Sequence, residues 1–265
     1  MTDPPVEMIT GYLRRVVAPN PGPMTLDGTN TWIVGDPLRG AVVVADPGPA
    51  DDDHLRLIME ACAGGIADIV LTHRHSDHSD GAPVLAALAG CGVRAADPTQ
   101  QIGVGPLVHG ELITVPGAEL VAISTPGHTS DSTSLLVHGE DAQRWLVSGD
   151  MVLGRGTAVI TSPDGDLAAY LESLDVMEAA VLDADVKEIL PGHGPRVTRP
   201  LELLRWYRQH RLERLEQVRA ALAAGARTAS EVVAIVYADI DPSLRLAAAQ
   251  SVAAQLEYLS GPGSR

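Results

Sequence analysis

The chain has 265 residues, of which 45% are hydrophobic and 3% aromatic, and carries a formal net charge of −15. Its length and apolar content allow one large domain or a domain with a small appendage, while the acidity argues against a protein that coats nucleic acid nonspecifically. No run of about 18 apolar residues suggests a membrane span, the opening Met1-Thr2-Asp3-Pro4-Pro5 lacks the apolar stretch of a signal peptide, and a cytoplasmic protein with Cys62 and Cys91 as two reduced thiols is expected.

In chain order, β-like runs at Tyr12 to Val17, Thr31 to Val34 and Ala41 to Ala45 lead to Asp46-Pro47-Gly48, by itself a turn signal. A helical pattern covers Asp51 to Cys62. The strand-like run Ala67 to Leu71 then opens directly into Thr72-His73-Arg74-His75-Ser76-Asp77-His78, which places three imidazoles and a carboxylate within six residues. Imidazole nitrogen and carboxylate oxygen are the ligands that zinc, manganese or iron take. If the strand stays extended, His73 and His75 share a side, and Asp77 and His78 reach the same cavity from the next turn.

A helical pattern from Ser79 to Leu88 follows. Gly103-Val104-Gly105 has no third glycine and no helix behind it, so it does not read as a dinucleotide loop. Further runs at Leu120 to Ser124, Ser134 to His138, Trp145 to Val147 and Val186 to Leu190 bracket a helix over Asp166 to Leu182. Three of these runs end in polar motifs: Thr125-Pro126-Gly127-His128-Thr129, Ser148-Gly149-Asp150 and Pro191-Gly192-His193-Gly194-Pro195. Such strand ends are where α/β proteins build sites. With the loop from Thr72 to His78, these motifs hold five of the nine histidines, while His54, His109 and His138 have no ligand spacing and are expected on the surface.

From Pro200 the pattern turns helical, over Leu201 to Ala223, Ala229 to Ala238 and Pro242 to Leu259. Residues 201–265 hold eight arginines against seven carboxylates, a net of +1, which leaves −16 for the rest. Arg205, Arg208, Arg211, Arg214 and Arg219 share the first helix with Glu202, Glu213 and Glu216, and read either as a solvated face or as a basic rim. The layout predicts an α/β catalytic domain over 1–199 and a helical module over 200–265 that walls the cleft or makes an oligomer contact, with a grip on nucleic acid as the alternative. A wing would need a hairpin after Leu259, where the chain runs out.

The motif His-x-His-x-Asp-His, followed in order by His128, Asp150 and His193, resembles the metallo-β-lactamase superfamily. The stretch Asn20-Pro21-Gly22-Pro23-Met24-Thr25-Leu26-Asp27-Gly28-Thr29-Asn30-Thr31-Trp32-Ile33-Val34-Gly35 and the carboxyl helices resemble the subgroup of that superfamily that contains beta-lactamase-like protein 2. The resemblance implies an αββα sandwich with a small winged-helix-like helical module at the carboxyl end. It implies two divalent metals, zinc first with manganese or iron as alternatives. His73, His75 and His128 would hold one, Asp77, His78 and His193 the other, and Asp150 would bridge them, with Asp46 behind the ligands as an orienting carboxylate. Asp77 is then the catalytic candidate, placed to ligate and to accept a hydrogen bond from the nucleophile. The expected activity is a binuclear metal-dependent hydrolase using a shared hydroxide. The subgroup points to single-stranded RNA, with Arg208, His210 and Arg211 as substrate contacts. A glyoxalase II-like thioester hydrolase acting on a small molecule is the alternative, with a β-lactamase or a metal-stabilised scaffold behind it.

Overall fold

The computed structural model describes residues 6–261; the terminal residues Met1 to Pro5 and Pro262 to Arg265, on which the leader and wing expectations rested, lie outside them. A six-stranded sheet runs in sequence order through β1 (Val6–Thr10), β2 (Leu13–Val17), β3 (Asn30–Val34), β4 (Val42–Ala45), β5 (Ile66–Val70) and β6 (Gly92–Arg94). Its first four strands pair antiparallel and the last three parallel. The second sheet has the order β11 (Glu188–Pro191), β10 (Arg144–Gly149), β9 (Thr133–Gly139), β8 (Ala118–Ser124), β7 (Leu112–Val115), with β10 and β11 parallel.

Strict alternation along the strands stacks the layers. Trp32, Val34, Val43 and Ala45 face Leu135, Val137, Trp145 and Val147 in a core between the sheets. The intervening Ile33, Val42 and Val44 turn outward against Leu55 and Ile58 of α1 (Asp52–Ala61) and Leu85 of α3 (Ala82–Ala89). On the other side Leu136, Leu146 and Ile189 pack under Tyr170, Leu174 and Met177 of α4 (Leu167–Asp183) and Leu204 and Tyr207 of α5 (Pro200–Ala223). The result is the αββα sandwich.

The strands missing from the sequence reading are β1, β6 and β7. β6 has three residues, and β1 is an edge strand with no fully buried side chain, so neither shows a burial period. The helix read from Ser79 is two, α2 (Ser76–Ser79) and α3, because the Gly81 amide donates to Gly48 O at 2.9 Å. That turn in turn holds His78 O through the Gly48 amide at 3.1 Å. His54 is not on the surface: it is 3% exposed, beneath the same turn.

α5 belongs to two cores. Leu204, Tyr207 and Leu215 join the sandwich, while Val218 and Ala221 pack with Val232 and Val233 of α6 (Ala229–Val236) and Ala248 and Val252 of α7 (Arg245–Ser260). α6 starts at a capping box made by Thr228 and Glu231. Cys62 and Cys91 are free thiols. Among the described residues no helix is long and apolar enough to cross a membrane.

Candidate metal centre

The carboxyl ends of β4, β5, β8, β10 and β11 meet along one edge of the sandwich. The Asn30 amide donates to Gly192 O at 2.7 Å, and the Thr133 amide donates to Thr72 O at 2.8 Å, tying loops of the two sheets together there. The loop after β5 carries His73 and His75, α2 carries Asp77 and His78, and the turns after β8, β10 and β11 carry His128, Asp150 and His193. The His128 turn is pressed against α4: Gly127 has φ +137°, and a Cβ there would overlap the Tyr170 backbone.

These side chains form two groups that can each hold a metal ion, His73 with His75 and His128, and Asp77 with His78 and His193. In the first, His75 Nδ1 lies 3.0 Å from His73 Nε2 and 3.1 Å from His128 Nε2. In the second, His193 Nε2 lies 3.3 Å from His78 Nε2 and 3.1 Å from Asp77 Oδ2. Asp150 stands between them: Oδ1 is 3.5 Å from His78 Nε2, and Oδ2 is 3.3 Å from His193 Nε2 and 3.8 Å from His128 Nε2. A third grouping, Asp46 with His73 and His78, has its carboxylate already saturated. Asp46 accepts from the Thr72 amide at 2.8 Å, the Thr72 hydroxyl at 2.7 Å and His78 Nδ1 at 2.8 Å.

The remaining ring nitrogens explain the donor set. His128 Nδ1 donates to Val159 O at 2.7 Å, and His193 Nδ1 to Gly28 O at 3.2 Å. Thr72 gives its proton to Asp46 and accepts from His73 Nδ1 at 3.0 Å. Each of these rings, and His78 through Asp46, therefore turns Nε2 inward, the atom that would ligate a cation once it carries no proton. Lone pairs converging at about 3 Å repel unless a proton or a metal cation lies among them. Asp150 Oδ1 is buried with no hydrogen-bond partner, the atom such a cation would satisfy.

The electrostatics agree. Burial drives the His73 imidazole well below its ordinary value, aided by His78 and His128, and takes His128 down to about 4 against the pull of Asp150. His78 is held well above its ordinary value, because Asp150 and Asp46 outweigh burial. Burial opposes protonation of His193 as well, yet Asp150 and Asp77 push it up to about 9. Burial works against ionising Asp150, but His193 and His78 hold its carboxyl well below the usual range. Neutral nitrogens at His73 and His128, and carboxylates that draw positive charge onto His78 and His193, mark a place suited to a divalent cation with imidazole and carboxylate ligands.

Two features of the site left little trace in the sequence. Thr72 relays Asp46 to His73, and Arg74, between the first two histidines, faces outward to brace the loop. Its guanidinium contacts Asp164, Ser130 Oγ at 3.2 Å, Asp97 Oδ2 at 3.3 Å and Asp131 Oδ1 at 3.6 Å. Only the alternation of Arg74 with His73 and His75 hinted that it points away.

A cavity of about 750 Å³ leads to the centre, with His128 and Asp150 at one end and Ile235, Val236 and Ile240 in the wall formed by the carboxyl helices. His210 and Arg211 line it, and Arg208 does not: it pairs with Asp175 Oδ1 at 2.7 Å and Leu171 O at 3.2 Å on α4. Arg211 is 5% exposed, donating to Ala158 O at 2.5 Å with its guanidinium 5.0 Å over the Tyr170 ring. His210 stacks on Trp206 at 5.2 Å.

The sequence profile of the Metallo-beta-lactamase superfamily matches residues 24–193, and that of the Beta-lactamase associated winged helix domain matches residues 228–263. A Beta-lactamase-like protein 2 homolog of Drosophila melanogaster is 31% identical, over 98% of this chain and 91% of its own length. An Atrochrysone carboxyl ACP thioesterase of Aspergillus novofumigatus is 32% identical over 92% of this chain and 77% of its own. The crystal structure of a metallo-beta-lactamase family protein from Thermus thermophilus superposes with a TM-score of 0.77 at 20% identity, covering 96% of this chain and 94% of that one. Profile, relatives and fold agree, and the chain belongs to the metallo-β-lactamase superfamily of metal-dependent hydrolases.

Proposed function

We propose that the chain is a binuclear metal-dependent hydrolase that cleaves an acyl thioester or ester lying in the cavity between the sandwich and the carboxyl helices. The observation that carries this reading is the cavity itself, which is lined in part by aliphatic side chains such as Leu153, Ile235 and Leu244 and ends at His128 and Asp150. A hydrocarbon acyl group gains from such a wall. A thioesterase among the relatives supports the same substrate class.

In this reading His73, His75 and His128 would hold one ion, Asp77, His78 and His193 the other, and Asp150 would serve both. When bound, two divalent ions, zinc foremost with manganese or iron as alternatives, polarise the acyl carbonyl and lower the pKa of a shared water. Asp77 is the most exposed of the carboxylates, at 30%, and ties one oxygen to His193. Its other oxygen is free to accept the proton of the attacking water. Asp46 orients the His78 ring through its Nδ1.

Phosphodiester hydrolysis of single-stranded RNA is the competing reading, and the arginines of α5 motivated it. Three of them are ion-paired: Arg205 with Glu178, Arg208 with Asp175 and Arg219 with Glu216. Purified, metal-loaded protein assayed side by side on butyryl-pantetheine, S-lactoylglutathione, single-stranded RNA and bis-p-nitrophenyl phosphate decides between them. Thioester turnover is expected. RNA cleavage with no thioester hydrolysis under zinc, manganese or iron overturns the acyl reading.

A further inference from the structure

We infer that Arg211 and Arg214 form an anion-binding subsite in the wall of this cavity, so that the substrate carries a carboxylate or phosphate apart from the bond that is cleaved. The inference rests on the cavity being the substrate pocket, and it concerns residues that the metal centre does not use.

The contrast lies within one helix. At the N-cap of α5 Arg199 pairs with Glu202, and along the helix Arg205 pairs with Glu178, Arg208 with Asp175 and Arg219 with Glu216. Arg211 and Arg214 sit between these pairs, and among the described residues neither has a carboxylate within ion-pair distance. Arg211 donates to Ala158 O, and Arg214 to Gln217 Oε1 at 2.7 Å and Val236 O at 3.2 Å. Their remaining support is aromatic, with the Arg211 guanidinium over Tyr170 and the Arg214 guanidinium 4.7 Å over Tyr237. Aromatic faces and neutral carbonyls orient a guanidinium without cancelling its charge.

Such an arrangement is costly unless something compensates it. Arg211 is buried, and buried charges are ordinarily paired. Its Nε has no hydrogen-bond partner, and neither does Nδ1 of His210 beside it. Residues three apart on a helix are neighbours, and like charges there repel. The same face thus holds two unpaired guanidiniums and an imidazole, all lining one cavity, in a protein of net charge −15. Asp239 also lines it, from the α6–α7 connection, without pairing to either arginine. An oxyanion entering between Arg211 and Arg214 supplies the missing partner through charge-assisted hydrogen bonds.

The position relative to the metal ligands is set by two consecutive carbonyls. Ala158 O accepts from Arg211, and Val159 O accepts from His128 Nδ1 at 2.7 Å. One backbone segment therefore ties the position of Arg211 to that of a candidate metal ligand. The anion can sit on the acyl side, as the far carboxylate of a dicarboxylic half-thioester, or on the thiol side, as the phosphate of a phosphopantetheine arm.

Three thioesters separate these sources: butyryl-pantetheine, butyryl-4′-phosphopantetheine and glutaryl-pantetheine, each assayed for kcat/KM on the metal-loaded full-length protein. One anionic substrate should be preferred over the neutral one by at least about tenfold, as a charge-assisted contact implies. The preference should fall to near unity in Arg214→Gln and be partly kept in Arg211→Lys. Equal turnover of all three by wild type, or a preference that survives in both variants, overturns the subsite. If no thioester is hydrolysed, the acyl reading fails on its own, and calorimetric titration with glutarate and with methyl phosphate takes over. Binding to wild type at least about tenfold tighter than to Arg214→Gln supports the subsite, and equal binding overturns it.

Discussion

Asp46 Oδ2 accepts a hydrogen bond from His78 Nδ1 at 2.8 Å, and the Asp46 backbone sits at φ +53° to do so. The left-handed turn lets one carboxylate hold three donors from the ligand loop, the Thr72 amide, the Thr72 hydroxyl and His78. Asp46→Asn keeps the size and tolerates that backbone, but its amide cannot accept from all three. His78 then loses its fixed tautomer, and affinity at the Asp77–His78–His193 group should fall about 10- to 100-fold. Chelator competition reads this directly, and an unchanged affinity shows that Asp46 does not orient the ligand.

Asp150 should govern both ions. Its two oxygens reach His78 on one side and His193 and His128 on the other. Elemental analysis of loaded wild type should find about two metals per chain, given seven donors where one zinc takes three or four. Asp150→Ala should lower that number and abolish turnover. One tightly bound metal in wild type, with Asp150→Ala still active, contradicts a shared ligand.

Gly192 offers a steric test that removes no donor. A Cβ there would collide with Asp150 Oδ1 and come within 2.6 Å of His78 Cε1. Gly192→Ala should therefore weaken metal binding by displacing two donors, with a stability loss of about 1–3 kcal/mol from overpacking. Full metal occupancy at unchanged affinity in a folded Gly192→Ala shows that the loop has room the geometry denies.

The grouping of the candidate donors was legible because they follow strand ends in chain order, and alternation along β3, β4, β9 and β10 marks both faces of the sandwich. The partners of the donors were hidden. Val159 O and Gly28 O are backbone atoms that any residue would supply, and Thr72 looks like an ordinary strand-end residue. The arginines of α5 share one amphipathic pattern, yet Arg208 turns to α4 while Arg211 and Arg214 face the cavity. That choice is made by Asp175, Tyr170 and Tyr237, none of which lies near them in sequence. His54 carries the same lesson, since its helix was evident while the turn that covers it was not.

His54 gives the stability a pH dependence separate from metal binding. It is 3% exposed, with Nε2 3.2 Å from Thr31 Oγ1. Thr31 gives its own proton to Asp46 O at 2.6 Å, so its oxygen accepts from His54. Burial lowers the His54 pKa, against the smaller opposing pull of Asp51. The folded state thus keeps His54 neutral where the unfolded chain binds a proton, and the sign follows from linkage. The contribution is complete above the unfolded value of about 6.5 and is lost progressively as pH falls toward the lower folded value. Urea unfolding of metal-loaded wild type and His54→Gln at pH 7.5 and 5.5 isolates the effect, because the ligand histidines are common to both proteins. Wild type should lose about 1 kcal/mol more than the variant over that interval. Parallel losses in the two proteins would mean that His54 takes up its proton in the folded state as readily as in the unfolded one.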